Sequence, residues 1–155
     1  MSFRAACSAI GIGLVLVYAI CSGLWVSHSP GWYSSLIKPP WQPPDIVFGV
    51  IWPYNFIVLG FVSVKISQTL TRIQVMTWMT IFALSIIAAL NWAYQFYVPH
   101  NLSIASISLT IATALTIQLQ VLTFQASILY GALFLPYQLW VAIATTLAWG
   151  YSARN

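Results

Sequence analysis

A chain of 155 residues, 61% hydrophobic and 4% charged, has too few charges to build a water-facing surface, since soluble domains carry roughly 25% charged residues. Its net charge of +4 comes from five scattered basic residues and one acid. They form no basic stripe, which excludes a nucleic-acid partner and leaves the lipid bilayer as the natural surroundings.

The six charges are Arg4, Lys38, Asp45, Lys65, Arg72 and Arg154, and they leave uncharged gaps at 5–37, 46–64 and 73–153. A spanning helix needs about 20 apolar residues. The first two gaps hold one span each and the third holds three, or two if one segment is re-entrant. The expectation is an all-α, multi-pass integral membrane protein, a five-helix bundle forming one domain over 1–155.

The first helix is expected over 5–26. Arg4 and the apolar run after it imitate a signal peptide, but the run is long enough to span and no small-x-small cleavage site follows, so it reads as a retained span. Cys7 and Cys21 are 14 positions apart in this run, too far along a helix for a disulfide. The connection from Ser27 to Pro44 carries Pro39, Pro40, Pro43 and Pro44 and should be stiff and extended. Its Trp32, Tyr33 and Trp41 suit either an interfacial aromatic belt or a rigid lid over the bundle.

The second helix is expected over 45–65, followed by a polar loop from Ser67 to Gln74, and the third over 75–96. Pro99, His100 and Asn101 break the chain, and Asn101 can cap a fourth helix over 101–124. A fifth runs over 127–151. Pro53 and Pro136 fall inside spans, which membrane helices tolerate. Five spans put Arg4, Lys65 and Arg72 on one side and Lys38, Asp45 and Arg154 on the other. The basic excess favours a cytoplasmic N-terminus.

Helical spacing aligns Phe48, Trp52 and Phe56 on the second span, and Tyr137, Trp140, Ala144, Leu147 and Tyr151 on the fifth. On the third, Asn91, Tyr94 and Gln95 share a face expected to look inward, because an amide avoids lipid. Ser85, Ala89 and Ala93 lie nearly opposite, a small-residue stripe suited to a homodimer seam. These aromatic faces suit ordinary bundle packing or the walls of a pocket. Paired carboxylates, metal-spaced Cys/His clusters and phosphate loops are missing from the sequence, which argues against hydrolytic, metal and nucleotide chemistry. The spans also lack the ionisable residues that couple ion transport. His28 and His100, both on the lid side, read as solvated loop residues or as axial ligands to a haem iron.

Trp32-Tyr33-x-x-Leu36-x-Lys38-Pro39-x-Trp41-x-Pro43-Pro44, followed by Phe48-Gly49-x-x-Trp52, resembles the signature of the TspO/MBR family of tryptophan-rich sensory and translocator proteins. Ala89-Leu90-Asn91-Trp92-Ala93, Pro136-Tyr137-x-x-Trp140 and Ala144-Thr145-Thr146-Leu147 extend the resemblance over nearly the whole chain. Ile46, Phe56 and Ala148 depart from the Trp, Tyr and Asn common there, and the third connection is about two residues shorter.

The resemblance implies a five-helix bundle, usually homodimeric, with a pocket under the first loop. Such pockets take protoporphyrin IX or haem, isoquinoline carboxamides and, in some members, sterols. The expected contact set is Tyr33, Trp41, Pro43, Pro44, Phe48, Trp52, Phe56, Asn91, Tyr94, Trp140, Ala144 and Leu147, with no cofactor beyond the porphyrin or haem ligand itself. Some bacterial members resemble light-dependent porphyrin-degrading enzymes, and by position Trp52 and Trp140 would serve that chemistry. A sterol pattern is formally present in Leu147, Tyr151 and Arg154. The leading expectation is a tetrapyrrole receptor for sensing, sequestration or transfer; the alternatives are a porphyrin-degrading enzyme and a porphyrin or sterol translocator.

Overall fold

The computed structural model describes residues 2–155. It contains α1 (Phe3–Val26), α2 (Pro30–Ser35), α3 (Asp45–Thr69), α4 (Arg72–Tyr97), α5 (Leu102–Ala126) and α6 (Ile128–Ser152). All but α2 are long and apolar enough to cross a membrane, so the protein is a multi-pass integral membrane protein built as a five-span bundle. A helix of 25 residues reaches about 37 Å, beyond the roughly 30 Å hydrocarbon core. The helix ends therefore stand at headgroup level.

Local chemistry sets the boundaries. Ser2 caps α1 by accepting from the Ala5 N–H. Thr71 and Gln74 form a reciprocal capping box at the start of α4, and Asn101 accepts from the Ile104 N–H to start α5. Two expectations need correction. The polar loop from Ser67 to Gln74 shrinks to Leu70 and Thr71, because α3 continues to Thr69 and the capping box restarts the helix at once. The first connection is not extended throughout: Pro30 sits at the first turn of α2, where a missing N–H costs nothing.

The five spans close into a ring in the order α1, α3, α6, α5, α4 and back to α1, with α5 packed most extensively against α6 and α4. Polar pairs run along the α5–α6 seam: Ser103 with Ser152 (3.3 Å), the Trp149 indole donating to Thr110 (3.0 Å), and Thr113 with Thr145 (2.7 Å). At the far end of this seam, Gln120 Nε2 donates to the Gly131 carbonyl (2.9 Å). Lipid tails are as apolar as Leu, so packing and such hydrogen bonds hold membrane helices together.

The core lies in the half remote from α2, where Val62, Ile66, Val75, Trp78, Phe82, Leu119 and Phe134 are fully buried. Trp78 also donates to Thr123 across the α4–α5 contact (3.1 Å). Arg4 of α1 donates to the carbonyls of Ser67 and Gln68 at the last turn of α3, tying these two helices at the remote end.

The face of α4 is opposite to expectation. Ser85, Ala89 and Ala93 are buried within the single chain, in one stripe with Phe82 and Phe96, and are not available as a seam between two chains. Their small side chains let neighbouring helices of the same bundle approach closely. Asn91 and Tyr94 face outward instead. The Asn91 amide escapes lipid by donating to the Ser108 hydroxyl on α5 (2.6 Å), so it has no need to turn to the interior.

Candidate functional site

At the α2 end the bundle is hollow. A cavity of about 320 Å³ opens between α1, α3, α4 and α6, at the lower end of the roughly 300–1,000 Å³ range of small-molecule sites. α3 supplies Phe48, Trp52 and Phe56, and α6 supplies Trp140, Ala144 and Leu147. The α3 face follows from the four-residue spacing. Trp52 and Phe56 stack with centroids 5.5 Å apart, and Phe48 meets Trp140 edge to face at 5.0 Å. Tyr18 of α1 supports both Trp52 (6.1 Å) and Phe56 (5.4 Å) from beneath, again edge to face. Edge-to-face pairs of this kind fix ring orientation.

The first connection forms the roof. Tyr33 of α2 and Gln42 reach into the cavity and meet Tyr151 of α6. Tyr151 donates to Gln42 Oε1, its hydroxyl is 3.3 Å from that of Tyr33, and Gln42 Nε2 donates to the Tyr33 hydroxyl at 3.3 Å.

The last turn of α6 grips this roof from outside. Asn155 pairs with both backbone groups of Ile37, Oδ1 accepting at 2.9 Å and Nδ2 donating at 3.3 Å. The Arg154 guanidinium lies 4.9 Å from the Trp41 ring centroid. Gly150 is the point of closest approach. A Cβ there would stand 2.8 Å from Pro39 Cγ and 2.9 Å from Trp41 Cζ2, so any larger residue would lift the roof.

Of the expected contact residues, Tyr33, Phe48, Trp52, Phe56, Trp140, Ala144 and Leu147 come together around the cavity. Trp41, Pro43, Pro44, Asn91 and Tyr94 do not line it. Trp41 is half exposed and serves the clasp with Arg154. Tyr94 packs on Trp25 of α1 at 5.6 Å, on the outside of α4. Pro43 and Pro44 lead into α3 at the rim.

The histidines are also outside. His28 is exposed in the turn after α1, and His100, with φ of 60°, stacks on Trp32 at 3.8 Å. Among the described residues no group of three or more His, Cys, Asp or Glu side chains converges on a metal position. Leu147 and Tyr151 of the sterol pattern turn toward the cavity, away from lipid.

Several wall residues escape a reading by aromatic stripes. α1 contributes Ala19, Ser22, Gly23 and Val26, whose modest side chains leave the cavity open on this side. Their spacing of three, four and seven is a helical face and was a usable signal. α4 contributes Trp92, Phe96 and Tyr97 in place of Asn91 and Tyr94. The indole N–H groups of Trp92 and Trp140 are buried without a hydrogen-bond partner among the described residues. The walls thus combine flat apolar faces with few polar groups, suited to a planar aromatic molecule.

Comparison with known proteins agrees with this architecture. The TspO/MBR family pattern matches residues 11–154. The chain is 30% identical over 124 residues to the tryptophan-rich protein TspO of Bacillus cereus, covering 80% of each chain. It is 28% identical over 142 residues to that of Chlorobaculum tepidum, covering 90% of this chain and 89% of the relative. It is similar to the human translocator protein as well, at 29% identity over 77% of this chain and 73% of the relative. The match along nearly the whole chain, on a five-span bundle whose first connection roofs an aromatic cavity, makes this protein a member of the TspO/MBR family.

Proposed function

We propose that this protein is a membrane receptor for tetrapyrroles such as protoporphyrin IX or haem, acting in their sensing, sequestration or transfer. The observation that carries the reading is the cavity under the first connection, with Phe48, Trp52, Phe56 and Trp140 presenting ring faces and edges to one space. A macrocycle with a large π-face gains from such walls by stacking and by leaving water or headgroups. The remote half of the bundle is closed by packed side chains, which supports holding a ligand at one end over passing it straight through.

The test is a titration of protoporphyrin IX into purified protein, followed by tryptophan quenching. Saturable quenching is expected, with affinity reduced at least about tenfold in a Trp52→Ala, Trp140→Ala double variant, since stacking contributes about 0.5–1.5 kcal/mol per ring beyond area. Unchanged affinity in that variant would remove the cavity as the site.

A second reading has its own motive. Trp52 and Trp140 both line the cavity, so a bound porphyrin would hold two oxidisable indoles against a photosensitiser. Under this reading illumination in air yields one discrete open-chain product. Bleaching at the rate seen in empty detergent micelles would dispose of it.

A further inference from the structure

The remote end carries charge of one sign. Arg4, Lys65 and Arg72 all stand there, while the only acid of the chain, Asp45, begins α3 at the roofed end. Two of these cations share the corner where α1 begins, α3 ends and α4 starts. Arg4 is exposed and commits Nη1 to the Ser67 and Gln68 carbonyls. Nη1 carries two of the five guanidinium N–H donors, so three remain for another acceptor. The exposed Arg72 guanidinium lies over the Phe3 ring, 4.8 Å from its centroid. That contact holds the group in place without using its N–H fork. Lys65 is placed differently. Its Nζ is 5.5 Å from the Phe61 ring centroid, and Phe61 meets Tyr130 of α6, so it belongs to the α6 side of α3, away from the corner.

A groove leaves this corner along the outer face of α4. Ile73, Met76, Thr77, Thr80 and Ile81 line it, beginning at the residue after Arg72. Eight residues of helix reach about 12 Å into the bilayer. Ile73 is 77% exposed and Met76 54%, so something outside the chain covers this face in the membrane, either a lipid chain or a second copy. The charges decide between them. Copies inserted in the same orientation meet at equal depth, where each offers only cations, so a second copy would face Arg4 and Arg72 with like charge. An anionic lipid supplies the missing counter-charge at headgroup level.

We infer that Arg4, Arg72 and the α4 groove form a site for an anionic phospholipid. The two guanidinium groups take its phosphate, and one acyl chain lies along Ile73, Met76 and Ile81. The lipid joins α1, α3 and α4 at the end of the bundle that carries the packed core, apart from the cavity and independently of what fills it.

The experiment is native mass spectrometry of the whole chain, released from detergent containing equal amounts of phosphatidylglycerol and phosphatidylcholine with the same acyl chains. Wild type should retain one phosphatidylglycerol in preference to phosphatidylcholine by at least about tenfold, the scale of two interfacial cations acting on an anionic lipid. Arg72→Gln should cut that preference about fivefold, whereas Lys65→Gln, an equal loss of charge at the same end, should change it by less than about twofold. A Thr77→Phe, Thr80→Phe variant fills the groove on an exposed face, keeps every charge and should also release the lipid.

No preference in wild type would overturn the site outright. Equal losses in Arg72→Gln and Lys65→Gln would reduce it to diffuse attraction toward a basic end. Displacement of the lipid by equimolar glycerol 3-phosphate would replace the lipid with a soluble anion. A wild-type dimer that the groove variant breaks would give the face to a second copy.

Discussion

The two ends of this bundle are made from the same five helices and much the same residue types, yet one is solid and the other hollow. At the remote end Trp78 and Phe82 are wholly enclosed, with ring centroids 4.8 Å apart, and the Trp78 indole N–H reaches Thr123. At the roofed end Trp52 and Phe56 are only partly buried, and the Trp140 indole N–H has no partner among the described residues. The difference lies in what faces each ring. Trp78 meets other large side chains of the core, whereas Trp52 and Trp140 look across a space bordered by Ala19, Gly23, Ala144 and Ala148. Small residues on α1 and α6 leave that space unfilled. Close packing and open space are in this way divided between the halves.

The division can be broken most strongly in the solid half. Trp78→Ala should cost about 3–5 kcal/mol, the usual penalty for emptying a packed aromatic site, and should lower the thermal midpoint in detergent by far more than any cavity variant. A second substitution separates the observed α4 face from the expected one. Ala89→Leu forces a large side chain into a fully packed stripe and should destabilise the chain by about 1–3 kcal/mol. Loss of a dimer with no change in unfolding would instead restore Ser85, Ala89 and Ala93 as an intermolecular seam.

In the hollow half, Trp52→Ala should cost only about 1–2 kcal/mol, because part of the void already exists. Its larger effect should be on protoporphyrin affinity. A stability loss matching that of Trp78→Ala would show that the cavity is closed in the membrane. The smallest effect belongs to Asn91→Ala. It removes one hydrogen bond to Ser108, worth about 0.6 kcal/mol between membrane helices, and should leave porphyrin quenching unchanged.

Charge spacing alone was enough for the five spans, since six charges in 155 residues leave few ways to place helices. The α3 and α6 cavity faces were legible too, because Phe48, Trp52 and Phe56 and then Trp140, Ala144 and Leu147 repeat at helical spacing. The α4 face was not. An amide signals that it needs a partner but not which neighbour offers one, and Ser108 satisfied Asn91 on the outer side. The α1 wall was missed because it is defined by what it lacks: Ala19, Ser22 and Gly23 matter through missing bulk. The roof was half legible. Its prolines and aromatics marked it, but α2 and the grip of Arg154 and Asn155 on residues 37–41 depend on contacts more than a hundred residues apart in sequence.

Site-directed thiol protection can show whether a porphyrin occupies the hollow half. In a background with Cys7→Ser and Cys21→Ser, one cysteine is placed at Ala144 in the cavity wall and, in a separate protein, one at exposed Thr69 on the remote end. Saturating protoporphyrin IX should slow maleimide labelling at position 144 at least about tenfold, since the reacting thiolate must be reached by the reagent, and leave position 69 unaffected. Equal labelling at position 144 with and without porphyrin would place the porphyrin outside this cavity.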